Sequence, residues 1–227
     1  MDFKFSADEQ EIIEMLHDFC LKEVKPLAAE LDEQERFPEE TRQKLAEMGM
    51  MGVPFPEEYG GAGLSYVTYI AVCEELARYC GTTSVMVSAH SSLCAWPISE
   101  FGTPEQKEKY LTPLASGEKL GAFGLTEPGA GTDSAGQTTV AEDKGDHWLL
   151  NGTKCFITNG YYADTYVVFA MTDKSKGNRG ISAFIVEKGF PGFSFGTKEK
   201  KMGIRGSATY ELVFDDCKVP KENLLAN

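Results

Sequence analysis

The apolar residues of this 227-residue chain change their period once, near Gly117, and that change constrains the fold more than any other feature. Before it, hydrophobic residues recur every three or four positions. After it, they fall into short β-branched and aromatic runs separated by turn dipeptides. A helical period buries one stripe of a helix and an alternating period buries one face of a strand, so the two halves require different elements. The sequence therefore predicts an α+β protein, with a helical domain over residues 1–117 and a small antiparallel β-barrel or sandwich over 118–227. The second half has no alternation of strands with long helices and the chain has no internal repeat, which disfavours a doubly wound parallel sheet.

Several helix boundaries are legible. Ser6-Ala7-Asp8-Glu9 has capping-box spacing, and Ile12, Ile13, Leu16, Phe19, Cys20 and Val24 follow at helical intervals. Pro38 sits near the first position of a second helix, and Gly49 is placed to end it. Residues 54–61 read as a loop. Helical spacing resumes from Ser65 through Val67, Ile70, Ala71 and Leu76, and Thr103-Pro104-Glu105-Gln106 caps a further helix running toward Gly117. In the second half, Trp148-Leu149-Leu150, then Asn151-Gly152, then residues 154–158 predict a hairpin closed by a type I′ turn. Residues 166–170, 180–186 and 210–214 are expected to be three more strands.

Composition narrows the function. A net charge of −13 argues against nucleic acid, which needs clustered Lys and Arg. Of this deficit, −10 lies within the first 60 residues, giving the helical end an acidic surface. The cysteines at 20, 73, 80, 94, 155 and 217 lack CxxC spacing and are expected to be reduced and mostly buried. His17, His90 and His147 are not spaced with them as a zinc site requires, so no metal is expected. The start has no basic segment followed by an apolar one, and no window approaches the roughly 18 apolar residues of a membrane span. The expectation is a cytoplasmic protein.

Residues 124–136, GLTEPGAGTDSAG, are the stretch best suited to meet a ligand. Gly129 and Gly131 allow close backbone approach, while Thr126 and Thr132 add hydroxyls. Taken alone, the stretch reads more readily as a glycine-rich turn closing a β-hairpin than as a ligand site. The GxGxxG pattern fails at Ser134 and no βαβ unit follows, so a Rossmann nucleotide site is excluded. Glu127 reads as structural or solvent-facing and is given no acid-base role. Lys198-Glu199-Lys200-Lys201 reads as solvated surface rather than a phosphate patch.

The same stretch resembles the signature of the acyl-CoA dehydrogenase family. Two further family-like segments follow in the family's order, NGTKCFITNG at 151–160 and KMGIRGS at 201–207. The resemblance covers essentially the whole chain, including PEEYGG at 56–61, and is nearest to bacterial short-chain members such as butyryl-CoA dehydrogenase. It implies FAD as cofactor, with Phe123, Leu125, Thr126, Gly131 and Thr132 in the stretch lining the isoalloxazine. Phe156, Ile157 and Thr158 are then expected against the ring, with Thr158 near flavin N5. Thr132 also resembles the family residue that touches the substrate's thioester arm. Many members carry Trp where Phe156 stands, so the stacking area here is smaller. Without the resemblance, Phe156 reads as core and Thr158 as the start of the Asn159-Gly160 turn.

The resemblance also implies a reaction. A carboxylate takes the α-proton of an acyl-CoA while the β-hydrogen leaves as hydride to the flavin, giving a trans-2-enoyl-CoA. Electrons then pass to electron-transfer flavoprotein, which grips the helical domain, and the full-length protein is expected to be a homotetramer. In the family the base is a glutamate on a C-terminal four-helix bundle, and this chain, ending at Asn227, shows no counterpart. No catalytic residue is nominated, and the chain is expected to be a fragment that is inactive alone. Two other readings stay open: a binding module that kept the fold without catalysis, and a relative acting as an acyl-thioester oxidase or on a carrier-protein thioester.

Overall fold

The computed structural model describes residues 4–225. Its helical half contains α1 Ala7–Phe19, α2 Ala28–Glu33, α3 Glu39–Glu47, α4 Tyr66–Tyr79, α5 Gly81–Ser88, α6 Trp96–Phe101, α7 Pro104–Gln106 and α8 Thr112–Ala115. The expected caps are formed. Ser6 and Glu9 close a reciprocal box at the start of α1, Thr103 and Gln106 close another at α7, and Ser65 Oγ accepts the Thr68 N–H at α4. Pro38 occupies the N-cap of α3, and Gly49, at φ 73°, follows its last turn.

Three helical runs widen into π-helical stretches, at Cys20–Val24, Ala89–Ala95 and Lys107–Leu111. Each is followed two residues later by a proline: Pro26, Pro97 and Pro113. A proline has no N–H to give the carbonyl four residues back, and its ring clashes with that carbonyl; local widening accommodates Pro97 and Pro113 without ending the helix, whereas at Pro26 the run breaks into a turn at residues 25–27 before α2. α5, the stretch Ala89–Ala95 and α6 thus form one continuous run through the centre of the molecule. From Tyr79 to Ser99 this run carries no Asp, Glu, Lys or Arg. A helix without a charged face is buried on most sides.

The strands are β1 Gly121–Gly124, β2 Val140–Asp143, β3 His147–Thr158, β4 Thr165–Met171, β5 Ile181–Glu187, β6 Phe193–Lys198, β7 Thr209–Pro220 and β8 Leu224–Leu225. They form one eight-stranded sheet in the order β6-β7-β3-β2-β4-β5-β8, with β1 paired to β4. Most pairings are antiparallel as expected, but β1 runs parallel to β4 over four residue pairs, and Val140 meets Met171 in a parallel bridge.

The predicted Asn151-Gly152 hairpin is not formed. β3 passes straight through this dipeptide, paired to β2 on one side and β7 on the other. The reason lies in the neighbours. Asn151 exchanges two hydrogen bonds with Asp216, donating to its carboxylate at 3.0 Å and accepting its N–H at 2.8 Å, across an irregularity in the β3–β7 register. Gly152 at φ 148° lies so close to Thr139 that a Cβ would stand 2.4 Å from its Oγ1. The tight turn falls instead at residues 144–146, between β2 and β3, where Gly145 has φ 94°.

The lysine run at 198–201 is also less solvated than expected. Lys198 Nζ donates to the Glu35 carbonyl at 3.0 Å, and Lys201 Nζ donates to the Ser207 carbonyl at 2.7 Å. Arg205 completes this seam, its N–H and Nε both donating to the Asp32 carboxylate of α2.

Both halves contribute to a common core. Leu16, Leu31, Leu45, Val72 and Leu76 of the helices pack in one buried cluster with Leu150, Tyr166, Val168, Phe184 and Leu212 of the sheet. Burial of this kind contributes about 25 cal/mol for each Å² of apolar surface. The cysteines are free; all but the half-buried Cys73 are buried. Among the described residues, no helix is long and apolar enough to cross a membrane.

Candidate functional site

Six of the eight site residues singled out in the sequence line one recess of about 230 Å³. Phe123, Leu125 and Thr126 enter it from β1 and its exit, and Phe156, Ile157 and Thr158 enter from the end of β3. The third wall, Ala89 and Leu93 of the central π-helical stretch, was not named in the sequence reading. Its signal was the uncharged run around it.

Phe156 is the least ordinary residue of the recess. It sits in a β3–β7 register irregularity between Lys154 and Ile157, at φ 60°, and the residue is 62% exposed. Left-handed backbone costs a non-glycine residue about 1–2 kcal/mol, and exposure returns little hydrophobic stabilisation. Such strain persists where surrounding structure over-determines it, and it concentrates at binding sites.

Beneath the recess lies a buried polar cluster. Lys154, wholly buried on β3, donates to the Leu125 carbonyl at 3.0 Å, Glu127 Oε1 at 2.7 Å and Gln137 Oε1 at 3.0 Å. Glu127 further accepts the Thr138 N–H at 2.5 Å, the Thr138 hydroxyl at 2.8 Å and the Thr139 N–H at 3.0 Å. Burial alone would raise the Glu127 carboxyl, but Lys154 and the threonine donors outweigh it and hold the group down at about 2. Glu127 is therefore an ionised anchor, in agreement with its structural reading.

The neighbouring β3 residue adds a second tie, Cys155 N–H to the Thr126 carbonyl at 2.9 Å. Among the described residues, the Thr126 N–H and the hydroxyls of Thr126 and Thr158 have no hydrogen-bond partner. The recess thus presents hydrogen-bonding groups next to an exposed aromatic ring. That combination fits the edge and face of a flat, polar heterocycle such as an isoalloxazine.

Gly131 and Thr132 are not brought into this recess. Glu127 and Ala130 exchange two backbone hydrogen bonds of 3.1 Å, so the chain reverses at Pro128-Gly129 and leaves both residues exposed beyond the turn.

The walls are held in register by buried links between helix and sheet. His90 accepts the Gly121 N–H at its Nδ1 at 2.9 Å, and its Nε2 donates to the Leu114 carbonyl at 3.1 Å. That pattern requires a neutral ring, and burial, only partly opposed by the Leu114 contact, pushes its pKa down to about 4. Asn159, just past Thr158, donates to the carbonyls of Met86 and Gly121, each at 3.1 Å. Gly121 lets β1 approach so closely that a Cβ there would lie 2.6 Å from that of Cys94.

A helical layer fused through a common core to a mostly antiparallel sheet, with a donor-bearing recess at the junction, defines the structural class. Comparison with known proteins gives it a family. Residues 6–118 match the family model for the acyl-CoA dehydrogenase N-terminal domain, and residues 122–217 match that for the middle domain. The short-chain specific acyl-CoA dehydrogenase of Clostridium acetobutylicum is 59% identical over 225 residues, an alignment spanning 99% of this chain and 59% of that protein. The solved butyryl-CoA dehydrogenase of Megasphaera elsdenii is 52% identical with a TM-score of 0.96, over 100% of this chain and 60% of its own. A chain from a structure of the electron transferring flavoprotein of Acidaminococcus fermentans, described in terms of flavin-based electron bifurcation, is 55% identical with a TM-score of 0.98, again over 100% and 60%. The chain belongs to the acyl-CoA dehydrogenase family. It spans about three fifths of the length of these relatives.

Proposed function

We propose that this chain forms the flavin-holding part of an FAD-dependent dehydrogenase that converts a short-chain acyl-CoA into its trans-2-enoyl-CoA. The observation that carries the reading is the recess itself, where Thr126 and Thr158 offer unpaired donors around the strained, exposed Phe156. The family is FAD-dependent, and two of the relatives named above are a short-chain specific acyl-CoA dehydrogenase and a butyryl-CoA dehydrogenase.

When bound, FAD supplies the hydride acceptor. The Thr126 N–H and hydroxyl would donate to the pyrimidine side of the ring, where donors favour negative charge, and the Thr158 hydroxyl would meet the central ring. Phe156 would cover part of one face. Leu93 and Phe123 keep the adjoining wall apolar, which excludes water from the reacting carbons. Thr132, exposed on the loop beyond Pro128-Gly129, is proposed to meet the thioester arm.

No residue lining the recess is titratable, and Glu127, held at about 2 and bonded to Lys154, is a poor proton acceptor at neutral pH. The base that takes the α-proton therefore enters from outside these walls.

The partner proposed for electron delivery is an electron-transfer flavoprotein, docking on the helical half. α4 offers it an exposed apolar patch of Tyr66, Val67 and Ile70, which with Phe5 lines a groove of about 480 Å³. The test of the whole reading is to purify the full-length gene product, measure its flavin content, and add butyryl-CoA without oxygen. Bound FAD that bleaches on substrate addition is expected. A colourless, stable protein, or a flavin that butyryl-CoA does not bleach, overturns the proposal.

A further inference from the structure

We infer that Lys154 is a positioning residue for the flavin recess: by holding the Leu125 carbonyl beneath the recess, it fixes the Leu125–Thr126 peptide with its N–H facing the ligand. The inference rests on the functional reading above and assigns a role to a residue that the chemistry itself does not touch.

In a trans peptide the carbonyl and the following N–H point in opposite directions. The Leu125 carbonyl points inward to Lys154 Nζ at 3.0 Å, so the Thr126 N–H on the same plane points away from the buried cluster. That N–H has no partner among the described residues, while Thr126 lines the recess. The next plane is tied from the same strand, Cys155 N–H to the Thr126 carbonyl. Lys154 and Cys155 therefore hold two successive carbonyls of one wall, and the residues after them, Phe156 to Thr158, form the opposite wall.

Lys154 is also costly for a purely structural role. Its side chain is 0% exposed and its ammonium uses all three donors, on Leu125, Glu127 and Gln137. Apolar residues often replace a buried ion pair with no loss of stability. An apolar pair filling this space would leave the Leu125 carbonyl without its donor, and the peptide would be free to turn it toward water in the recess.

The test uses the full-length gene product carrying Lys154→Met together with Glu127→Met, so that no buried charge is left unpaired. Three quantities are read: the thermal midpoint of the flavin-free protein, the Kd for FAD by fluorescence quenching, and the reduction potential of the bound flavin. The midpoint is expected to fall, because Glu127 no longer accepts from Thr138 and Thr139, and beside that loss FAD binding is expected to weaken about tenfold, the effect of one lost hydrogen bond. Because the donor favours the reduced ring, reduced flavin should lose a further factor of about ten, a fall of about 30 mV in the two-electron potential. A lower midpoint with unchanged Kd and potential makes Lys154 a structural residue only and overturns the inference. Should the double variant not fold, Lys154→Arg and Lys154→Gln decide the question, since Arg reaches the Leu125 carbonyl and Gln is one atom too short. A potential lowered by Gln and kept by Arg supports the role; equal potentials overturn it. A wild-type protein without affinity for FAD overturns the functional reading first, and this inference with it.

Discussion

Phe156 and His90 show how single residues carry the tension between stability and site geometry. Phe156 combines φ 60° with an exposure of 62%. Phe156→Gly is expected to leave the thermal midpoint unchanged or slightly higher. Relief of about 1 kcal/mol of backbone strain offsets the similar entropic penalty of glycine. FAD affinity should fall in the same variant, as calorimetry and a flavin titration would show. A lower midpoint with undiminished affinity would make Phe156 a packing residue. His90 must be neutral to accept from Gly121, and its pKa in the fold is about 4, below the ordinary value of 6.5. The unfolded chain therefore binds more protons between these values. The stability His90 contributes is complete above 6.5 and is lost as pH falls from 6.5 to 4, on the order of 3 kcal/mol. Glu127, depressed from 4.5 to about 2, acts lower: its contribution is complete above 4.5 and fades as pH falls toward 2. Urea titrations at pH 7, 5 and 3 should show stability dropping in both intervals. His90→Gln should remove most of the first drop, and a wild-type profile flat from pH 7 to 4 would refute the assignment.

Strand β3 links the elements, because its middle sets the sheet and its end sets the recess. Gly152→Ala would place a Cβ 2.4 Å from Thr139 Oγ1 and 2.7 Å from its Cα, at a φ of 148° that L residues rarely adopt. A loss of about 2–4 kcal/mol is expected, read as a drop in the urea midpoint. A change below about 0.5 kcal/mol, the range of an unremarkable surface substitution, would show that the strands separate freely there. This strand also marks the limit of what the sequence reveals. The capping boxes at Ser6 and Thr103 were legible because each is completed within four residues. Asn151-Gly152 looked like a turn by the same local logic, yet two flanking strands and the side chain of Asp216 hold it extended. The recess was legible only through resemblance in its residues Phe123, Leu125, Thr126 and 156–158. Periodicity cannot show that β1 and β3 end side by side. Ala89 and Leu93 escaped because small residues on a buried helix leave no amphipathic stripe, although the uncharged run around them was visible. The burial of Lys154 is not legible locally, since it depends on Glu127 and Gln137, contributed by a distant turn.

At the scale of the whole molecule, charge and apolar surface are distributed to suit an encounter between proteins. The first 60 residues carry −10 of the net −13, while Val67 and Ile70 of α4 stand 59% and 60% exposed. In such an arrangement, long-range charge sets how often partners meet, and a small desolvated apolar centre sets how long they stay. The proposed electron-transfer flavoprotein should therefore respond differently to two perturbations of the full-length enzyme. Raising salt from 10 to 150 mM shortens the screening length from about 30 Å to about 8 Å, so the association rate should change while the dissociation rate stays nearly constant. Ile70→Asp should act the other way, raising the dissociation rate about tenfold by placing a charge in the centre of the contact. Because Ile70 is mostly exposed, the variant should keep its thermal midpoint, flavin content and bleaching by butyryl-CoA. Stopped-flow transfer from substrate-reduced enzyme, followed at several salt concentrations, separates the two effects. Transfer kinetics identical for Ile70→Asp and wild type at every salt concentration would remove α4 from the docking surface, leaving the reading of the flavin recess untouched.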